Sequence, residues 1–190
     1  LSPDQLNQAD RFGDGNKRVA MLLMVGDRIV YEKYREGADA SSRLMSYSMA
    51  KSLTALAIGA ALCSGKINSL EDQASVYVPD LNGTLYGQSS IKNLLKMSSG
   101  GASQAHGEAY QGMTQDLRSG KTTVAKLHQT YGNRSANPQG AFNYNNLDTL
   151  ALARVVEAAT KTSFSSFFAK TIAEPAGIQS QMAFGTDTDG

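Results

Sequence analysis

Two short apolar-rich runs come first along the chain. Val19 to Val25 and Arg28 to Tyr34 have strand-like composition and are separated by Gly26-Asp27. Glycine in the first central position accepts positive φ and suits a two-residue hairpin turn. The first run is almost wholly apolar, which predicts a strand covered on both faces. Ala38 to Arg43 is small and polar and reads as a loop. From Ser48 the period changes to that of a helix. Met49, Leu53, Leu56, Ala57, Ala60 and Ala61 form a broad apolar stripe running to about Ser64. Gly65 supplies the left-handed residue that commonly ends such a helix.

A short helix is predicted over Ser90 to Met97, capped by Ser89 or Ser90, with Leu94 and Leu95 facing inward. Ser98-Ser99-Gly100-Gly101 breaks it. Residues from about Gly101 to Gly140 are rich in Gly, Gln, Ser and Asn, and read as a loop-rich excursion with one helix near Thr122 to Thr130. Asn146 is expected to cap a strong helix over Leu147 to Thr160. Ser163 opens another through about Ile172, ended by Pro175 and Gly177. There are no internal repeats and no low-complexity tracts. Strands first and helices afterwards suggest a mixed fold whose sheet is incomplete.

The 190 residues suffice for one good core or a large piece of a bigger domain, and 41% hydrophobic content is that of an ordinary globular chain. Eighteen Lys and Arg against 17 Asp and Glu give a formal charge of +1, without the basic surplus of a nucleic-acid binder. No apolar run approaches the roughly 20 residues a transmembrane helix needs. Cys63 is the only cysteine, which excludes an internal disulfide; in its apolar helical setting it is expected to be a buried, inert thiol. His106 and His128 have no partner at metal-ligand or triad spacing and are expected on the surface. No glycine pattern sits between strand and helix as a phosphate loop requires. No metal or other cofactor is called for.

Ser48-Met49-Ala50-Lys51 has the Ser-x-x-Lys spacing. On a helix, i and i+3 share a face, so the amine can reach the hydroxyl. A free serine is a poor nucleophile and needs a nearby base, and lysine serves as one only when its amine is neutral part of the time. The pattern is cheap, because Ser89-Ser90-Ile91-Lys92 repeats it. Context separates the copies: Ser48 follows a hairpin and opens a long apolar helix, whereas Ser89 precedes a short one. Tyr144-Asn145-Asn146 is a second element, offering a phenol that can share protons and an amide that can bind a carbonyl. Tyr131-Gly132-Asn133 repeats that spacing, and again the flanks favour one copy, with Pro138 to Asn143 leading in and an apolar helix following.

Tyr47-Ser48-Met49-Ala50-Lys51-Ser52-Leu53-Thr54 resembles the active-site segment of class C β-lactamases and their esterase and amide-hydrolase relatives, within the serine β-lactamase and penicillin-binding superfamily. Ile91 to Gly100 resembles the family stretch "Leu-Leu, polar, small, Ser-Gly". Pro138 to Asn146 resembles its "Pro-Gly … Phe-x-Tyr-Ser-Asn" approach to the second motif, and Ala173 to Ile178 its "Pro-Leu-Gly-Met" ending. Four such segments in family order, spread over Val19 to Ile178, are far more specific than either motif alone. The resemblance implies an α+β fold of the β-lactamase/transpeptidase kind: an antiparallel sheet flanked by helices, with a mostly helical second lobe. Residues 1–45 would give the first sheet strands and 46–180 the helical lobe with the first two motifs. The resemblance also implies Ser48 as the acylated nucleophile, Lys51 as the adjacent amine, Tyr144 as the proton-relaying phenol and Asn146 as a substrate-orienting amide. The Ser48 N–H would form half of an oxyanion hole. Gly107-Glu108-Ala109-Tyr110, followed by Asp116, looks most like the branch with 6-aminohexanoate-dimer hydrolases, which would bring Tyr110 to the substrate pocket.

The sequence also departs from the pattern. Asn145 stands where serine or alanine is usual, at a position that need not do chemistry, and Met97-Ser98 replaces the usual His-Thr. The family's third motif, Lys or His-x-Gly on a later strand, is missing; Lys121-Thr122-Thr123 comes too early and Lys161-Thr162-Ser163 sits at a helix boundary. Without that strand the sheet is open-edged. The reading is therefore the N-terminal portion of a single catalytic domain, with the C-terminal strands supplied by the rest of a longer chain or by a second polypeptide. Two functions stay open: a serine hydrolase acting on an amide or ester of a small molecule or peptide, or a penicillin- or peptidoglycan-binding module with little turnover.

Overall fold

The structure, a computed structural model, describes residues 2–12, 18–102 and 107–189, and the side chains of 107–110 lie outside that description. Its contacts divide the chain into two compact units, Leu1–Met45 and Ser46–Gly190.

In the first unit, helix α1 (Pro3–Phe12) precedes antiparallel strands β1 (Ala20–Val25) and β2 (Arg28–Tyr34). Val25 pairs with Arg28 across the turn, and Ala20 with Tyr34 at the open end, with a bulge between Leu23 and Met24. Gly26 has φ +61°, as the hairpin turn requires. Asp10 ties α1 to the hairpin: its carboxylate meets Arg18 at 3.0 Å, Arg35 at 2.8 Å and Lys33. Lys33, and after it Arg35, hold the Asp10 carboxyl well below the usual carboxylate range. The expectation that β1 is covered on both faces is not met. Leu22 and Met24, and Ile29 and Val30 on β2, are 40–57% exposed. A two-stranded ribbon with one short helix lacks the surface to cover both of its faces.

The second unit is helical. Its centre is α2 (Ala50–Cys63) packed on α7 (Asn146–Thr160). The buried residues of α2 are Thr54, Ala57, Ile58 and Ala61, and those of α7 include Leu147, Ala151, Leu152, Val155 and Val156. Both sets recur at three- and four-residue spacing, and the small residues of α2 permit close approach. This corrects the predicted stripe: Met49 and Leu56 are exposed, and Ile58, absent from it, is 1% exposed. Cys63 is exposed as well, not buried. It stands two residues past Ala61, about 200° around the helix from the packed face. Gly65, at φ +69°, closes α2 with Lys66 N–H bonded to Ala61 O and Gly65 N–H to Leu62 O, the paired bonds of a Schellman cap.

Two single 3₁₀ turns, Ala74–Val76 and Pro79–Leu81, lead to α3 (Leu85–Gln88) and α4 (Ile91–Leu95). Thr84 and Ser90 cap these helices, their hydroxyls accepting from Gly87 and Asn93 N–H. Helix α5 (Gly107–Arg118) replaces what sequence reads as loop; Met113 is buried, with Leu117 half-buried one turn on. Helix α6 (Val124–Tyr131) falls close to the predicted Thr122 to Thr130 and is capped by Thr123. Ser163 caps α8 (Phe164–Phe168), which widens into a π-helical turn over Ala169–Ala173.

Two further expectations concern the histidines. His106 lies outside the described residues. His128 is fully buried rather than on the surface: its Nε2 lies 3.0 Å from Leu147 O and its ring meets Tyr86 edge-on at 5.1 Å. Burial holds its pKa down at about 4, so it is a neutral core residue. Among the described residues no helix is long and apolar enough to cross a membrane, and no group of His, Cys, Asp or Glu could hold a metal.

Candidate active site

Ser48 sits in the single 3₁₀ turn Tyr47–Met49 that runs directly into α2. The Met49 and Ala50 N–H groups are taken within the turn, by Ser46 O and Tyr47 O, so what the helix start offers Ser48 is the positive end of the α2 dipole. Tyr47, just before it, has φ +44° with an exposed ring. That backbone costs a bulky residue roughly 1–2 kcal/mol, and such strain gathers where geometry matters for function. Lys51 lies in the first turn of α2, on the same side as Ser48.

The three residues singled out from sequence come together. Lys51 Nζ donates to Ser48 Oγ at 3.2 Å, and Ser48 Oγ is 2.7 Å from Tyr144 Oη, across 96 positions of sequence. Lys51 Nζ also stands over the Tyr144 ring, 4.8 Å from its centroid. Lys51 first, and Ser48 second, lower the Tyr144 pKa, because both stabilise a phenolate more than a phenol. The group combines a hydroxyl, a cation and a phenol with increased acidity, a set able to pass a proton away from the serine. Ser48 is exposed, while Lys51 and Tyr144 are half-buried. A groove of about 590 Å³ lies against Tyr47, its other lining residues being Gln111, Thr114, Gln115, Arg118 and Ser119 of α5 and its end; Ser48, Lys51 and Tyr144 do not line it.

The second copies of both motifs are occupied elsewhere. Ser89 is buried beneath the 98–101 turn, Ser90 caps α4, and Lys92 pairs with Glu71 at 2.6 Å. Tyr131 carries Arg134 over its ring at 4.6 Å.

Asn146 is the first residue of α7 and is half-buried. The cap of α7 is not Asn146, as expected from sequence, but Asn145, whose Oδ1 accepts from Leu147 N–H at 3.0 Å. Fully buried, Asn145 also donates from Nδ2 to Tyr86 Oη at 3.0 Å, so the position that seemed dispensable anchors the neighbour of Tyr144. Tyr110 falls in the first turns of α5, where side chains lie outside the description.

Sequence reasoning missed the scaffold behind Tyr144. Asn143 N–H donates to Met97 O at 2.8 Å, and Asn143 Nδ2 to Gly101 O at 2.8 Å. Met97 has φ +52°, which turns the chain out of α4 into the Ser98–Gly101 segment. A Cβ on Gly101 would come within 2.7 Å of Tyr86 Oη and 3.0 Å of Asn145 Nδ2, so only glycine fits. Asp148, fully buried, accepts from Ser99 Oγ at 2.6 Å and from Ser99 N–H at 3.4 Å. Burial pushes its carboxyl up to about 7 against these two bonds. The Ser98-Ser99-Gly100-Gly101 run, read as a helix breaker and as the end of the family-like Ile91 to Gly100 stretch, pointed to this turn without showing its bonds.

The beta-lactamase family model matches residues 9–186. A 6-aminohexanoate-dimer hydrolase of Paenarthrobacter ureafaciens is 32% identical over 78 residues, which cover 41% of this chain and 20% of that protein. A class C β-lactamase structure from Rhodobacter sphaeroides superposes with a TM-score of 0.72 at 16% identity, covering 99% of this chain and 52% of its own. The structure of an octameric penicillin-binding protein homologue from Pyrococcus abyssi gives 0.71 at 22%, covering 94% and 44%. These likenesses show the expected α+β fold, and the chain spans about half the length of the two solved relatives. In both, one chain carries the matched region together with the remainder, so nothing here supports a second polypeptide. By the extent of the family match, this chain belongs to the beta-lactamase family.

Proposed function

We propose that this chain carries the nucleophile and proton relay of a serine hydrolase that cleaves an amide or ester through an acyl-enzyme on Ser48. The observation that carries the reading is the 2.7 Å contact of Ser48 Oγ with Tyr144 Oη while Lys51 Nζ lies 3.2 Å from the same oxygen. As the Ser48 oxygen bonds to the substrate carbonyl carbon, its proton passes to the Tyr144 oxygen, whose anionic form Lys51 stabilises. The tetrahedral oxyanion sits near the start of α2, where the Ser48 N–H is one donor. Collapse breaks the C–N or C–O bond, and Tyr144 returns the proton to the departing nitrogen or oxygen. Water then attacks the acyl ester, gives its proton to Tyr144, and Ser48 leaves with a proton restored. Asn146 and Tyr110 are the candidates for orienting substrate, and the remaining strands and pocket wall belong to the rest of a longer protein. No observation favours the binding-only alternative.

Incubation of the full-length protein with a fluorophosphonate, followed by peptide mass spectrometry, tests the reading. The expected adduct is on Ser48 and is absent from Ser48→Ala. An adduct on another residue, or unchanged ester hydrolysis by Ser48→Ala, contradicts it.

A further inference from the structure

We propose that Asp148 is a positioning residue for Tyr144, its side chain pinning the start of α7 to the Ser98–Gly101 turn so that the phenol stays on Ser48 and Lys51. The proposal rests on the reading of Ser48, Lys51 and Tyr144 as the catalytic unit.

The turn grips the chain on both sides of Tyr144. Before it, Asn143 bonds Met97 O and Gly101 O, each at 2.8 Å. After it, Asp148 takes the Ser99 hydroxyl at 2.6 Å and the Ser99 N–H at 3.4 Å. Tyr144 itself is half-exposed and lies in the extended segment ahead of α7. Its ring meets Ser48 and Lys51, and its backbone is held from both sides by these neighbours. The turn has little room on this side, because even a Cβ added at Gly101 would come within 2.7 Å of Tyr86 Oη and 3.0 Å of Asn145 Nδ2. A shift of α7 relative to Ser99 would pass to the phenol, and misplacement by about 1 Å can cost roughly 100-fold in rate.

The chemistry of the link is also unusual for a structural one. Among the described residues no Lys, Arg or His forms an ion pair with Asp148, and its hydrogen bonds come from Ser99 alone. A buried carboxyl group without a cation is costly, whereas an amide or apolar side chain would bury more cheaply. What the carboxyl provides is a short bond with two acceptor oxygens directed at one residue. Asp148 is also the third residue of α7, where the helix N-terminus favours negative charge. That alone would make it a stabilising residue, a role the following cycle separates from positioning.

The experiment compares wild type, Asp148→Asn, Tyr144→Phe and the double variant of the full-length protein. It measures the rate of Ser48 modification by a fluorophosphonate, with thermal midpoints alongside. Asp148→Asn is expected to slow modification about 10- to 100-fold in the wild-type background. In the Tyr144→Phe background it is expected to change the rate less than about twofold, because residues acting through one another are not additive. The same factor in both backgrounds, or no loss in the first, overturns the proposal. Should Asp148→Asn fail to fold, Ser99→Ala in the same cycle decides by the same criterion. Modification that persists in Ser48→Ala would instead overturn the catalytic reading itself, a failure that involves neither Asp148 nor Ser99.

Discussion

Ser48-x-x-Lys51 and Ser89-Ser90-x-Lys92 share a spacing and differ in everything else. Lys51 points back to Ser48 and over the ring of Tyr144, whereas Lys92 turns outward to Glu71 and Ser89 is buried. The spacing alone puts an amine within reach of a hydroxyl; it does not bring a third group. What Ser48 has and Ser89 lacks is the phenol delivered from the start of α7 by the buried links to residues 97–101. A motif of this kind becomes a site through the scaffold that completes it.

The comparison can be broken most directly at the serines. Ser48→Ala should abolish covalent labelling and reduce hydrolysis by on the order of 1,000-fold or more, as loss of an acyl-transfer nucleophile does, while Ser89→Ala should keep the label. Peptide mass spectrometry and ester turnover check both. Next come the partners. Lys51→Met and Tyr144→Phe should each lower turnover by roughly 100- to 10,000-fold, the usual worth of a proton-transfer group. Lys92→Met and Tyr131→Phe should stay within about twofold of wild type in the same kinetic assay.

The buried scaffold titrates in a way that sharpens the contrast further. Asp148 has a folded pKa raised to about 7, so it binds a proton in the native state that the unfolded chain has released. Its contribution is fully present below the ordinary carboxylate pKa and is lost as pH rises through 7. His128 is the reverse: its folded pKa is lowered to about 4, and its contribution is present above the ordinary histidine pKa and lost as pH falls towards 4. Between about pH 4 and 6.5 the two oppose each other. Asp148→Asn should leave a stability that falls on acidification through this range, and His128→Phe one that rises. Each excursion should be on the order of 3 kcal/mol, read from urea midpoints at several pH values. Parallel pH dependence in the two variants would contradict these assignments. The smallest effect belongs to the surface pair: Glu71→Gln should cost no more than about 1 kcal/mol in the same unfolding measurements.

Clear periods made the hairpin, α4, α7 and α8 legible, and the resemblance carried the Ser48, Lys51 and Tyr144 group. The orientation of α2 was not legible, because Ala-Leu-Ala-Ile-Gly-Ala-Ala-Leu is apolar all round and no polar face tells Leu56 from Ile58. Helix α5 was hidden among polar residues, with little beyond Met113 and Leu117 to mark its inner face. His128 sits between Leu127 and Gln129 on a short helix whose inner face the sequence marks only weakly, and packing against Tyr86 and α7 reveals its burial. The Ser99–Asp148 bond spans 49 positions, and beyond the helix-breaking run around Ser99 nothing local marks it, least of all at Asp148. In each case long-range packing decided what short-range pattern could not.

The pH dependence of Ser48 modification is the most direct test of Tyr144 as the proton acceptor. In the wild type the rate should rise through an ionisation below the ordinary tyrosine range, the direction in which Lys51 and Ser48 move the phenol, and Tyr144→Phe should lose that limb. The same limb, at the same pH and height, in Tyr144→Phe would contradict the account.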